Sequence, residues 1–130
     1  MNFNDQLNNA IKQNNSLVCV GLDPELSKLP EHIQKLENPQ FAFNKAIIDA
    51  TQDLVCVYKP NPAFYEARGD RGVLELKMTC DYIHETYPEI PIIIDAKRGD
   101  IGNTNEGYAQ YVFDYLGADA ITVMPYMGIE

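Results

Sequence analysis

The chain has 130 residues, which is enough for one domain of ordinary size. It is 45% hydrophobic and 22% charged, a composition typical of a soluble globular protein, and it contains no apolar stretch of the ~18 residues that a transmembrane helix needs. The net charge of −9 argues against nucleic acid as a partner, because no basic patch could displace counterions from a phosphate backbone. These values favour a protein that acts on small molecules.

The cysteines and the N-terminal residues indicate a reducing compartment. Cys19 and Cys56 lie in apolar runs, Cys80 lies in a helical pattern, and no C-x-x-C pair is present. Three scattered cysteines favour buried, reduced thiols over a disulfide or a metal site. Residues 1–15 are polar and lack the apolar centre of a signal peptide, so we expect a cytoplasmic protein.

Short apolar runs alternate with helical patterns along the chain. The predicted strands are four apolar runs, at 16–22, 54–59, 90–97 and 119–124. The predicted helices lie between them, at 41–51, 72–87 and 104–116. Because the strands are continuous apolar runs rather than alternating ones, we expect both faces to be buried, as in a parallel sheet flanked by helices. Residues 26–40 form the only long connection.

Two α/β architectures use this β-α-β-α-β-α-β order, an open doubly wound sheet and a (β/α)8 TIM barrel. The first turn, "VGLDPELSKLP", contains no G-x-G-x-x-G, which weakens the dinucleotide-binding form of the open sheet. Polar residues end each of the first three strands, and barrel enzymes place their sites at the carboxyl ends of strands. A complete barrel needs ~250 residues, so we expect residues 1–130 to be a single domain holding about four βα units.

A dense group of charges ends the third predicted strand, in "IIIDAKRGDIGNT". Asp95 and Lys97 are two residues apart, which places both side chains on one face of a strand. Gly99 allows a turn before Asp100, and Lys59 ends the neighbouring strand. Alternating charges would keep all four groups ionised and would form a preorganised array that can meet developing charge.

Each of these residues also has a purely structural interpretation. Asp100 or Asn103 could cap the following helix, and Asn103 with Glu106 has the spacing of a capping box. Asp95 and Lys97 could form a structural ion pair. Asp23 before a proline is more often a turn residue than a ligand contact. For the charged set as a whole, placed on adjacent strand ends, we favour a functional site.

Four sequence blocks together resemble one enzyme family. "DAKRGDIGNT" is similar to the D-x-K-x-x-D-I-x-N-T signature of the orotidine 5'-phosphate decarboxylases. "CVGLDPELSKLP", "YKPNPAFYEARG" and "GADAITVMPYMG" resemble the first, second and fourth strands of the longer bacterial-type branch, in the same order. One departure is Met124, where a polar residue is expected. The resemblance implies the N-terminal half of a TIM-barrel carboxy-lyase that decarboxylates orotidine 5'-monophosphate to UMP in pyrimidine biosynthesis.

The resemblance also implies roles for individual residues. It assigns a catalytic Lys-Asp-Lys-Asp array to Lys59, Asp95, Lys97 and Asp100, with Lys97 as the proton donor to C6 and no metal or organic cofactor. Substrate binding falls to three further residues, Asp23, Ile101 and Thr104.

Family members are homodimers in which the counterparts of Asp100, Ile101 and Thr104 reach the partner's site. In the family, the arginine that binds the phosphate and the loop that closes over it lie in the second half of the barrel. We therefore expect little or no activity from these 130 residues alone.

Two other functions stay open. The shorter D-x-K-x-x-D motif also occurs in phosphosugar decarboxylases and aldolases of the same barrel superfamily, which typically need magnesium. Alternatively, the chain is a non-catalytic half-barrel, in which case exposed apolar edges on the first and fourth strands would need a partner.

Overall fold

Residues 2–127 are described by a computed structural model, in which four short strands run parallel. The strands are β1 (Cys19–Gly21), β2 (Val57–Lys59), β3 (Ile93–Arg98) and β4 (Ala120–Val123). β1 pairs with β2 and β3 pairs with β4, while a parallel bridge between Tyr58 and Ile92 joins the two pairs. Each strand thus neighbours the next one in the chain, as in a (β/α)8 barrel, which confirms the predicted α/β class.

The helices lie before and between the strands. Their bounds are α1 (Phe3–Asn14), α2 (Glu31–Gln34), α3 (Pro39–Thr51), α4 (Ala63–Glu66), α5 (Gly69–Thr86) and α6 (Gly102–Ala109). α6 continues as a π-helix at Gln110–Tyr115, and single 3-10 turns lie at Leu26–Lys28 and Pro125–Met127. None of the helices within residues 2–127 has the length and apolar character needed to cross a membrane.

α1 was not among the predicted elements, although the sequence carries signals for it. The side chain of Asn2 accepts a hydrogen bond from the Asp5 N–H at 2.9 Å and caps the first turn. Leu7, Ala10 and Ile11 follow at helical spacing and pack against the base of the sheet. The polar residues around them dominate the composition of residues 1–15, and they conceal this narrow apolar stripe.

The two inner strands are buried and the two outer strands are not. Tyr58 of β2 and Ile94 of β3 have no exposed surface, whereas Cys19 of β1 is exposed and Val123 of β4 is 64% exposed. The prediction that all four strands are buried on both faces is therefore wrong for β1 and β4. A parallel strand is covered only where strands and helices lie on every side of it. The exposed apolar edges anticipated for the first and fourth strands are present.

The cysteine predictions are correct for two residues. Cys56 and Cys80 are buried and free, and burial raises the pKa of the Cys80 thiol to about 12. Cys19 is also free, but it is exposed because it lies on the outer strand β1. The expectation that Cys19 is buried is therefore wrong.

A set of polar side chains, here called the helix network, ties α3, α4 and α5 together. The Arg68 guanidinium donates from Nη1 to Gln40 Oε1 at 2.6 Å and to Glu75 Oε1 at 2.5 Å. The second carboxylate oxygen of Glu75 accepts the Phe41 N–H at 2.9 Å, and Phe41 lies in the first turn of α3. Gln40 and Glu75 are buried, so the network neutralises a charge inside the protein.

The same network reaches the end of β1. Asn44 donates to the Tyr65 hydroxyl at 2.7 Å and to Thr79 Oγ1 at 3.0 Å. The Tyr65 hydroxyl donates to the Leu22 carbonyl at 2.7 Å, and Thr79 donates to the Glu75 carbonyl at 2.8 Å. The helix layer therefore fixes the strand exit that carries the next residue in the chain, the predicted site residue Asp23.

Candidate active site

Three of the four predicted charged residues meet at the carboxyl ends of β2 and β3. Asp95 Oδ2 lies 3.2 Å from Lys59 Nζ, and Asp95 Oδ1 lies 2.6 Å from Lys97 Nζ. We call Lys59, Asp95 and Lys97 the rim array. It consists of one carboxylate between two ammonium groups, as the positions of these residues on neighbouring strand ends predicted.

The backbone of β3 is irregular where it carries the array. The β3–β4 pairing breaks between Ile94 and Arg98, and Lys97 has φ +50°, in the left-handed region. A residue other than glycine held in this region stores on the order of 1–3 kcal/mol of strain, and such strain persists only where the surroundings hold it. The simple alternation that predicted Asp95 and Lys97 on one face therefore does not apply, yet the Lys97 side chain still reaches Asp95.

The two lysines hold the Asp95 carboxyl in its ionised form. The hydrogen bond from Lys97 lowers the pKa of Asp95 to about 2, with further lowering by Thr122 and Lys59 and an opposing effect of burial. The Asp95 side chain is 14% exposed, whereas that of Lys97 is 56% exposed. The array therefore presents an exposed ammonium group at the strand ends, next to a carboxylate whose lowered pKa keeps it ionised at neutral pH.

Asp100 is not part of the array within this chain. Asp100 forms no ion pair with any residue among 2–127, and its Oδ1 accepts the N–H of Ile101 at 2.7 Å. The Asn105 side chain holds its backbone from both sides, accepting the Asp100 N–H at 2.9 Å and donating to its carbonyl at 2.5 Å. The expectation of a four-membered array in one chain is therefore wrong, because these local bonds fix Asp100 on the loop beyond β3.

Gly99 sets the path of this loop. A Cβ atom at Gly99 would lie 2.1 Å from the Met124 carbonyl oxygen, so only glycine allows the β3 exit to pass β4 so closely. The Met124 N–H donates to the Arg98 carbonyl at 2.8 Å, which extends the contact. Met124 thus contributes its backbone here, and the missing polar side chain leaves this contact intact.

The helix-cap interpretations of this loop are not supported. α6 begins at Gly102 with Ile101 as its N-cap residue, and no side chain of the described chain caps it. The alternative interpretation, in which Asp100 or Asn103 with Glu106 caps the helix, is therefore wrong. Ile101 is 61% exposed. Thr104 lies in the first turn, where its N–H donates to the Ile101 carbonyl at 3.0 Å.

Asp23 lies at the same rim as Lys59. The Asp23 Oδ1 atom accepts the N–H of Asn61 at 2.9 Å, which links the exits of β1 and β2. Lys59 pairs with Gly21, two residues before Asp23, in the β1–β2 ladder. Asp23 is exposed, and no side chain among residues 2–127 forms an ion pair with it.

Two residues of the site were missed by the sequence analysis. Thr122 on β4 accepts the Lys97 N–H at 3.0 Å and donates to Asp95 Oδ1 at 2.9 Å. Asn105 fixes Asp100 as described. Both bond to the backbone of another residue, and Thr122 also bonds to a side chain; the sequence carries no signal for such contacts. Within residues 2–127, no group of three His, Cys, Asp or Glu side chains is placed to hold a metal ion.

Successive parallel βα units with ionic side chains at their carboxyl ends define a protein of the α/β-barrel class. Within this class, the chain belongs to the orotidine 5'-phosphate decarboxylase / HUMPS family, whose model matches residues 16–130. The resemblance stated from the four sequence blocks is thereby confirmed.

Individual relatives agree with this family. The chain is 57% identical to the orotidine 5'-phosphate decarboxylase of Flavobacterium johnsoniae over 95% of its own length and 45% of that protein. Among solved structures, a Toxoplasma gondii protein assigned provisionally as an orotidine-monophosphate decarboxylase superposes with a TM-score of 0.90 at 43% identity, covering 99% of this chain and 42% of that one. Leishmania donovani OMP decarboxylase superposes with a TM-score of 0.81 at 36% identity, covering 98% of this chain and 46% of that one. The chain spans about half the length of the curated relatives it matches.

Proposed function

We propose that this chain supplies the decarboxylation centre of an enzyme that converts orotidine 5'-monophosphate to UMP and carbon dioxide in pyrimidine biosynthesis. The observation that carries the proposal is the rim array, in which Asp95 lies between Lys59 and Lys97 at 3.2 and 2.6 Å. The identity of the Flavobacterium johnsoniae relative as an orotidine 5'-phosphate decarboxylase supports the substrate. The reaction needs no metal or organic cofactor in this proposal.

The chemistry suits these residue types. Breaking the bond between C6 and the carboxylate leaves an electron pair on C6, and the Lys97 ammonium stabilises that charge in the transition state. Lys97 Nζ then gives a proton to C6, which forms the C6–H bond of UMP, and solvent reprotonates the amine. Asp95 lies beside the substrate carboxylate, where repulsion is relieved as carbon dioxide leaves. Lys59 holds Asp95 and a ribose hydroxyl, and Asp23 binds the ribose.

A second copy of the chain completes the site in this proposal. Among residues 2–127, no lysine forms an ion pair with Asp100, and the adjoining Ile101 is 61% exposed. In a homodimer, Asp100, Ile101 and Thr104 reach the partner's rim array, where Asp100 supplies the fourth charge next to the ribose. The two hydrogen bonds from Asn105 hold the backbone of Asp100 beside the first turn of α6, which keeps these three residues close together.

We further propose that the 130 residues alone have little or no activity. Enzymes lower barriers by ~8–23 kcal/mol, and one ion pair cannot supply the upper end of that range. Binding energy from the distant phosphate must contribute, since remote binding energy can be used to lower the barrier at the reacting atom. The phosphate-binding arginine and closing loop belong to the remaining part of the barrel in this proposal.

The test is UMP formation by two proteins, the 130-residue chain and a fusion that joins it to the remaining residues of the Flavobacterium johnsoniae relative. We expect activity only in the fusion. Lys97→Ala in the fusion should lower kcat by at least ~10³-fold, because both charge stabilisation and proton transfer are lost. Lys12→Ala, at an exposed lysine on α1, is the matched control and should leave kcat unchanged.

The following outcomes would contradict the proposal. Equal rates for the isolated chain and the fusion would refute the inactivity of the chain. A folded fusion that makes no UMP, or one in which Lys97→Ala equals Lys12→Ala, would refute decarboxylation at the rim array. Activity toward a phosphosugar that a chelator abolishes would favour the alternative reaction of the barrel superfamily.

A further inference from the structure

Thr122 occupies a special place in the β3–β4 ladder. Ile94 pairs with Ile121 and Arg98 pairs with Val123, so residues 95–97 of β3 stand opposite Thr122 alone. This bulge carries both the strained backbone of Lys97 and the carboxylate of Asp95. A single side chain on the facing strand therefore lies against the whole irregular segment.

The Thr122 hydroxyl makes two hydrogen bonds with opposite roles. It accepts the Lys97 N–H at 3.0 Å and donates its own proton to Asp95 Oδ1 at 2.9 Å. Because a backbone N–H left without an acceptor is costly, the bulge needs an oxygen at this point. A hydroxyl is the smallest side-chain group that both accepts and donates, so serine can replace threonine here and valine cannot.

We propose that Thr122 is a positioning residue of the decarboxylation centre: its hydroxyl couples the bulged backbone of Lys97 to the orientation of the Asp95 carboxylate. The Asp95 Oδ1 atom that receives the Thr122 proton is the same atom that meets Lys97 Nζ at 2.6 Å. The hydroxyl thereby sets the direction in which the carboxylate faces the ammonium group. The effect of this coupling on catalysis rests on the proposed decarboxylation. The structural coupling between Thr122, Lys97 and Asp95 can be tested without it.

The test uses amide hydrogen exchange of Lys97 and carboxyl ¹³C titration of Asp95 by NMR, in the 130-residue chain. Thr122→Val keeps the shape and removes the hydroxyl. We expect the Lys97 amide to exchange on the order of tenfold faster, and the Asp95 pKa to rise, because the lost hydrogen bond had lowered it. Thr122→Ser keeps the hydroxyl and should stay within about twofold of the wild-type exchange rate.

The control is Thr86→Val, at an exposed threonine at the end of α5, which should change neither quantity. Unchanged exchange in Thr122→Val overturns the proposal, and so does equal acceleration in Thr122→Ser, since the methyl group would then be the relevant part. If Thr122→Val does not fold, Thr122→Ser decides alone: wild-type exchange supports the hydroxyl, and acceleration overturns it.

A separate measurement distinguishes this inference from the proposed function. In the fusion, Thr122→Val should lower kcat more than it raises KM, and Thr122→Ser should restore kcat. If the fusion makes no UMP while the NMR changes occur as expected, the coupling stands and the decarboxylation proposal fails. If the fusion is active and Thr122→Val retains wild-type exchange and kcat, the coupling fails and the decarboxylation proposal stands.

Discussion

The rim array and the helix network both pair opposite charges, but they leave those charges in different states. In the helix network, the Glu75 side chain is 2% exposed and each of its oxygens has a partner. In the rim array, the Lys97 side chain is 56% exposed, and Asp95 is the one ion-pair partner of its ammonium group within residues 2–127. The Glu75 carboxylate is fully hydrogen-bonded inside the protein, whereas the Lys97 ammonium group keeps donors on the exposed side of the rim array.

This difference separates a structural ion pair from a site. A buried pair that is fully hydrogen-bonded holds elements together, and removing one partner leaves an uncompensated charge. An exposed ion pair contributes little to stability. The strained backbone of Lys97 is therefore not explained by the stability that its ion pair provides. Strain at Lys97 together with outward-facing donors is the pattern expected where binding or catalysis uses the group.

The largest expected effect is the loss of stability when the helix network is broken. Glu75→Ala should lower the free energy of unfolding by about 3 kcal/mol, because the Arg68 guanidinium loses its charge partner and the Phe41 N–H loses its acceptor. Urea unfolding followed by circular dichroism measures this. Glu85→Ala, at an exposed glutamate on the same helix, should stay within about 0.5 kcal/mol of wild type. If Glu75→Ala and Glu85→Ala had the same free energy of unfolding, the helix network would not be the stabilising ion pair that distinguishes it from the rim array.

The second prediction concerns the pH dependence of the rim array. The pKa of Asp95 is about 2 in the folded chain and about 3.9 when unfolded, so its ionisation stabilises the fold above pH ~4. That contribution disappears as the pH falls from ~4 to ~2. Lys97→Ala removes the largest cause of the shift and should move the Asp95 pKa back toward the ordinary value.

The measurement is carboxyl ¹³C titration of Asp95 in both proteins, with urea unfolding between pH 2 and 5. The stability of wild type should fall more steeply than that of Lys97→Ala across this range. Lys45→Ala removes a lysine that pairs with a different aspartate, Asp49, and should leave the Asp95 titration unchanged. An Asp95 pKa unmoved by Lys97→Ala would mean that the 2.6 Å contact does not exist in solution.

Much of the fold was predictable because the inner strands are continuous apolar runs. The runs ending at Lys59 and Lys97 predicted β2 and β3, and the helical spacing of 72–87 predicted α5, which spans Gly69–Thr86. Polar residues at the ends of the strands predicted the place of the rim array. The burial of β1 was predicted wrongly, since a sequence does not state which strands have neighbours on both sides.

The finer geometry of the site depends on contacts between elements that are distant in sequence. Thr122 bonds to Lys97 and Asp95 across 25 and 27 residues, and its place opposite the bulge follows from the β3–β4 register. The spacing of Asp100 suggested a fourth member of the array. The actual position of Asp100 is set by the Asn105 side chain, which forms hydrogen bonds with both the N–H and the carbonyl of Asp100.

A third prediction, of smaller effect, sharpens the comparison within the helix network. Thr79→Val removes an oxygen that accepts from Asn44 and donates to the Glu75 carbonyl. Because the site is buried and the shape is kept, the free energy of unfolding should fall by about 1 kcal/mol, as for one typical hydrogen bond. Thr86→Val, near the exposed end of the same helix, should change it by less than about 0.5 kcal/mol. If Thr79→Val were as stable as wild type, the hydrogen bonds of Thr79 would make no net contribution to the stability of the helix network.

The smallest expected effect has the opposite sign and lies in the rim array. Lys97 has φ +50°, a conformation that glycine adopts without the steric cost that a Cβ brings. Lys97→Gly should therefore be more stable than Lys97→Ala by about 0.5–1 kcal/mol, measured by urea unfolding, even though glycine elsewhere in a strand destabilises. Ala96→Gly at the adjacent position, where φ is not positive, is the control and should lower stability.

If Lys97→Gly proved less stable than Lys97→Ala, the left-handed backbone would not be strained, and the ion pair to Asp95 could be a structural one after all. If the expected order holds, the chain carries a lysine where glycine fits better, so the side chain must be kept for what its ammonium group does. A Lys97→Gly variant that is more stable than Lys97→Ala, and that loses decarboxylation in the fusion, would show that the backbone strain at this position is tolerated for activity rather than for stability.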